Sequence, residues 1–157
     1  MNNFFISKHF TFYELTKTSN AKLIDINRLE GLKVKDKLEL VCLKLLEPLR
    51  GIFHYPVIIH SGFRCKAVND LVRGNPNSQH LRGEAVDFHI KGFDDDDGYE
   101  KVLKWCKSNI EYGQLIDESR TMANVTVRWI HLSLPDIKHY KQALRYNKGR
   151  FEELKFK

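Results

Sequence analysis

From about Leu32 to Phe53 the apolar residues Leu38, Val41, Leu45, Leu49 and Ile52 recur at three- and four-residue steps. That spacing predicts a helix burying one face, and Pro48 should kink it or mark its last turns. Upstream, Thr11 followed by Glu14 reads as a capping box that opens a short helix. After Pro56, Val57-Ile58-Ile59 starts a buried strand running to about Arg64. Ala67 to Val72 is a short helical piece, and Arg73 to Gly83, with its Gly, Pro and Asn residues, is loop. Glu84 to Ile90 is a second strand. Asp94-Asp95-Asp96-Asp97-Gly98 is a surface turn whose acids complement the dipole of a helix from Tyr99 to Ile110. The alternation and distal glutamate of a calcium loop are missing there. Strands follow at about Gly113 to Asp117 and Val125 to Leu134, and a basic helical tail, residues 135–157, closes the chain. Helices first and scattered strands later, without βαβ alternation, predict one α+β domain over residues 1–157. Its sheet should be mostly antiparallel, with helices packed on one face.

The strands divide their residues by parity. Val86, Phe88 and Ile90 point one way, while Ala85, Asp87 and His89 point the other. Ile130, Leu132 and Leu134 oppose Trp129, His131 and Ser133 in the same manner, and His60, Gly62 and Arg64 oppose Ile59 and Phe63. If these strands are neighbours, the greasy faces form core and the opposite face gathers His and Asp. A metal explains such a cluster: two imidazoles and a carboxylate leave an open position on a catalytic zinc. The candidates are His80, at the end of the Gly/Pro/Asn-rich loop, Asp87 and His131. His89 is a spare ligand or a supporting group, and His9, His54 and His139 carry no signal beyond ordinary surface or hydrogen-bonded roles.

Composition sets bounds without choosing a function. A chain of 157 residues that is 42% hydrophobic supports one core and excludes disorder. The balance of 26 basic against 20 acidic residues, net +6, suits an anionic partner such as nucleic acid, lipid or a bacterial wall. Nucleic-acid binding would rest on the charge of the tail alone, so no nucleic acid is expected. No run approaches the roughly 18 apolar residues of a membrane span. The N-terminus lacks the pattern of a secretory signal, so synthesis in the cytoplasm is expected. Cys42, Cys65 and Cys106 are too few and too scattered for a disulfide framework and read as packed, reduced thiols. HExxH, GxSxG and phosphate-loop motifs are all missing.

Ser78-Gln79-His80-Leu81-Arg82-Gly83-Glu84-Ala85-Val86-Asp87 reads as SxHxxGxAxD. It resembles the zinc signature of the D-alanyl-D-alanine carboxypeptidase family, whose relatives include phage endolysins and the hedgehog signalling domain. Trp129-Ile130-His131-Leu132-Ser133 resembles the family's WxHxS segment, and Ile59-His60-Ser61-Gly62-Phe63-Arg64 its SGYR segment. The likeness spans about Phe10 to Leu134, including a phage-type opening from Phe10 to Leu15. It implies a hedgehog-like fold, one zinc ion held by His80, Asp87 and His131, a substrate carboxylate or carbonyl held by Arg64, and a substrate-contacting or loop-capping Ser78. Gly83 would serve backbone geometry. Many members place an acid three residues before the last histidine, where this chain has Arg128. Phage-like members resemble Gln114-Leu115-Ile116-Asp117-Glu118 instead, which makes Glu118 the expected base and Asp117 the runner-up.

The function so implied is a zinc metallopeptidase cutting peptidoglycan stem peptides or cross-links, as a phage or prophage endolysin-type endopeptidase. A D,D- or L,D-carboxypeptidase and a non-catalytic zinc-binding module are the alternatives. The expected protein is a monomer acting at the bacterial cell wall after release, with Trp129 lining its cleft.

Overall fold

Thr11 caps the first helix, α1 (Phe12–Leu15), as its capping box requires: Glu14 N–H donates to Thr11 Oγ1 at 3.3 Å and Thr11 N–H to Glu14 Oε2 at 2.8 Å. The structure is a computed structural model and describes residues 2–156. After α2 (Ile24–Leu32), the long apolar stripe becomes α3 (Lys35–Val41), a π-helical turn (Cys42–Leu46) and α4 (Glu47–Phe53). Pro48 brings no N–H to the ladder, and just ahead of it the Glu47 N–H reaches back to the Cys42 carbonyl. That extra residue rotates the stripe: Leu38, Val41, Leu45 and Leu49 are buried, but Ile52 is 51% exposed and Phe53 packs on the core instead.

β1 (Val57–Ser61) is shorter than the expected strand to Arg64. A register shift between Ile59 and Ser61 ends the alternation, and residues 62–64 leave the sheet. There they are clamped: Phe63 N–H donates to the Leu15 carbonyl at 2.7 Å, and Arg64 N–H to the His80 carbonyl at 3.1 Å. α5 (Lys66–Leu71) follows, then a 3₁₀ turn (Gln79–Arg82) and β2 (Ala85–Ile90). α6 (Asp96–Asn109) begins earlier than predicted, because Asp95 caps it and accepts from Gly98 N–H at 2.7 Å. Of the acids in the supposed turn, Asp96 and Asp97 belong to the first turn of this helix.

β3 (Gln114–Met122) and β4 (Val125–Ser133) form a long hairpin, turned by Ala123 and Asn124 at positive φ. Over its described residues, 135–156, the tail is not helical, which corrects the sequence expectation. Residues 135–157 contain β5 (Gln142–Asn147) and β6 (Arg150–Glu153), joined by Lys148 and Gly149, both with φ above zero. β5 pairs parallel with the free edge of β3, so tertiary pairing overrides the basic composition that suggested a helix. The six strands run β1-β2-β4-β3-β5-β6, and every pairing except β3 with β5 is antiparallel.

One face of this α+β sheet, through Val86, Phe88, Leu115, Ile130 and Leu132, joins a single apolar cluster with Leu38, Leu45, Leu49 and Leu103 of the helices. The opposite face carries Asp87, Glu118 and His131. No helix among the described residues is long and apolar enough to cross a membrane.

Candidate metal centre and cleft

His80 is held by the 3₁₀ turn. Ser78 caps the turn, its Oγ accepting from His80 N–H at 3.3 Å, and Gly83 closes it at φ +68°. A Cβ on Gly83 would come within 3.0 Å of Val34 Cγ2, so both space and backbone demand glycine. Gln79 Nε2 ties the turn to the end of β4 by donating to the Leu134 carbonyl at 3.1 Å. His80 is 1% exposed, and its Nδ1–H donates to the Gly62 carbonyl at 2.6 Å. That bond fixes the tautomer and leaves Nε2 as the free lone pair. The 62–64 segment that left the sheet therefore orients this imidazole.

Asp87 and His131 are register partners on β2 and β4. Asp87 Oδ1 lies 2.9 Å from His131 Nδ1 and 3.2 Å from His80 Nε2, and the two nitrogens are 3.3 Å apart. Ligands about 2.0–2.1 Å from a tetrahedral zinc sit about 3.4 Å from one another, so this triangle fits such an ion with slight expansion. Among the described residues this is the one group of three or more His, Cys, Asp and Glu side chains that could hold a metal. Its protonation also suits a cation. Burial would raise the Asp87 carboxyl, but His80 and His131 outweigh it and hold the group well below the usual carboxylate range. Burial lowers His80, against the opposing pull of Asp87, and favours a neutral ring.

The trio opens into a cleft of about 880 Å³ lined by Arg64, Ser78, Glu118 and Trp129 among others. A smaller lobe of about 460 Å³, lined by Lys17, His60 and Ser61, shares Arg64, Val72 and Asp87 with it. Burial raises the Glu118 carboxyl above its ordinary value, with Asp87 adding to the effect and His131 and Arg64 opposing it. Arg64 feels the charges of Asp87 and Glu118, and its Nε is buried with no hydrogen-bond partner among the described residues.

Asp117, next to Glu118, points through the other face of the sheet. Both its oxygens are taken by Arg128, at 2.8 Å each, and Oδ2 also accepts from Arg145 Nε at 2.7 Å. The runner-up acid is thus outside the cleft, and Arg128 lies with it, also bonding Asp96. His89 joins His60 at 2.7 Å rather than the trio. Cys65 is buried, its N–H donating to Asn27 Oδ1 at 2.7 Å, and Cys42 and Cys106 are free and buried as well.

Sequence reasoning missed one wall of the cleft: Lys138, His139, Leu144, Tyr146 and Phe151 come from the tail. The alternation of Leu144 and Tyr146 ahead of Asn147-Lys148-Gly149 was the available signal. A family model described as Peptidase M15 matches residues 8–133, about four-fifths of the chain. Among curated proteins, no relative matches it.

Proposed function

The chain belongs to the peptidase M15 family, and on that premise we propose that it is a zinc-dependent endopeptidase of peptidoglycan stem peptides or cross-links, of the endolysin type. The observation that carries this reading is the convergence of His80 Nε2, Asp87 Oδ1 and His131 Nδ1 within 3.3 Å on the wall of the larger cavity, with Asp87 also lining the smaller one. Those three atoms would hold zinc, which when bound polarises a peptide carbonyl and acidifies water.

The remaining tasks fall to side chains of the cleft. Glu118, raised by burial, is suited to take the proton of the attacking water and return it to the leaving amine. The unpaired Arg64 donor supports a role in holding a substrate carbonyl or carboxylate. The smaller cavity meets the larger one at Arg64, Val72 and Asp87, so a peptide seated at the trio has room to continue beyond it, which favours cutting within a chain. Ser78 contributes by holding His80, and Trp129 lines the cleft floor.

A carboxypeptidase is the second reading, because the same Arg64 could pair with a terminal carboxylate. Digestion of purified peptidoglycan, with and without a chelator, separates the two. Cross-linked muropeptides falling to uncross-linked ones would mark an endopeptidase, and release of terminal D-alanine alone a carboxypeptidase. The absence of any new product from zinc-loaded protein, or digestion indifferent to chelation, would defeat the proposal.

A further inference from the structure

The family match ends at residue 133, yet β5 and β6 supply Leu144, Tyr146 and Phe151 to the larger cleft lobe. We propose that this C-terminal hairpin is a substrate-selecting wall, its Tyr146 and Phe151 rings taking an anionic peptide segment whose charge is met by Arg120 and Lys138. The inference rests on the peptide-cleaving reading of the site and adds where, and by what chemistry, the peptide is recognised.

The hairpin keeps anchoring and presentation on opposite faces, as strand alternation allows. Arg145 anchors it, bonding Asp117 at 2.7 Å and also Glu100. Leu154 just beyond β6 is 1% exposed, and its carbonyl accepts from Lys107 Nζ at 3.3 Å. None of these contacts uses Leu144, Tyr146 or Phe151. The latter two are cross-strand partners with ring centroids 5.2 Å apart, and Phe151 is left 54% exposed. A hairpin needed only to cover the β3 edge would do so with polar residues on its wet face.

Register places these rings at a set distance from the metal trio. His131 on β4 faces Ile116 on β3, and Ile116 faces Leu144 on β5. At about 4.8 Å per strand, β5 and β6 lie roughly 10 and 14 Å across the sheet from His131, and the two-residue step from Leu144 to Tyr146 adds about 7 Å along the strands, so the rings are roughly 12 and 16 Å away. An extended peptide covers that in about four or five residues. The charges along this path are unbalanced. Arg120 and Lys138 line the lobe and make no side-chain ion pair among the described residues, whereas Arg82, Arg128 and Arg145 are all paired. A cleft with unneutralised cations beside aromatic rings favours a peptide that carries carboxylates near apolar groups.

Soluble muropeptides from a purified wall digest are the probe, and zinc-loaded Glu118→Gln protein the host for binding measurements. Adding Tyr146→Ala with Phe151→Ala should raise Kd at least tenfold with zinc content unchanged. The single exposed change Phe151→Glu should do the same by charge repulsion and guards against a double variant that fails to fold. Arg120→Ala should weaken binding and flatten its salt dependence. In protein with Glu118 intact, the hairpin variants should lose kcat/KM mainly through KM. A Kd within twofold of the parent for folded hairpin variants overturns the inference. Turnover decides the peptidase reading separately: if protein with Glu118 intact binds muropeptides without cutting them, that reading fails and the hairpin is still judged by the Kd ratio. If it neither binds nor cuts them, both fail.

Discussion

Asp117→Asn and Glu118→Gln, one residue apart on β3, are expected to fail in opposite ways. The Asp117 side chain is 5% exposed and accepts three charged bonds of 2.7 to 2.8 Å from Arg128 and Arg145. Removing one partner of a buried ion pair costs about 3–5 kcal/mol. Here Arg128 keeps Asp96, Arg145 keeps Glu100, and the two arginines are 21% and 29% exposed. Solvent and the second partners therefore bring the cost toward roughly 3 kcal/mol. For a chain of this size that is a drop in Tm of roughly 6–12 °C.

Glu118 has the reverse profile. Burial disfavours its charged form, so a neutral amide should leave Tm unchanged or slightly higher. Losing a proton acceptor should lower kcat by about 10²–10⁴, equivalent to roughly 3–5 kcal/mol in the barrier. Thermal melts, bound zinc and muropeptide turnover, all measured at a temperature where both variants are folded, test the pair. A stable, zinc-loaded Asp117→Asn protein without turnover, or a Glu118→Gln protein with undiminished turnover, would refute the reasoning.

Three further outcomes are expected. Gly83→Ala should cost about 1–2 kcal/mol through its left-handed backbone and weaken zinc binding by shifting the His80 turn, read by melts and metal titration. Burial alone would raise the Glu47 carboxyl, but hydrogen bonds from Ser7 and His9 outweigh it and leave the group below its ordinary 4.5. A lowered acid stabilises the fold above its unfolded value and loses that effect as pH falls through the folded one. The Tm gap between the native protein and Glu47→Gln should therefore be present at pH 6 and close as pH falls below about 4.5. All three thiols should resist an aqueous thiol reagent at pH 8 until the protein is denatured, Cys42 having been pushed up to about 12 by burial. Labelling of native protein at the rate of a free thiol would contradict that.

Local chemistry made much of this protein legible in its residues. The Thr11 capping box, the parity of Asp87 and His131, and the glycine at 83 each report a requirement met within a few residues of chain, and each appears as read. The trio that could hold a metal was legible in part for the same reason: strand alternation puts Asp87 and His131 on one face wherever β2 and β4 happen to pair, while His80 comes from the turn before β2. What alternation could not supply was the route of the chain between elements. Parity puts Arg64 on one strand face with His60, but the bulge in β1 sends it out of the sheet, where the segment grips His80.

Between Asp117 and Glu118 the resemblance alone favoured Glu118, and the register of β3 on β4 turns the two acids to opposite faces. The tail shows the limit most plainly. Its composition was basic enough for a helix, and only the open edge of β3, a feature made by residues elsewhere, turned it into strands that wall the cleft. Periodicity, caps and ligand types are set by neighbouring residues and can be read from the sequence. Edge pairing, bulge placement and the meeting of two cleft lobes depend on segments far apart in the chain, and only the folded structure decides them.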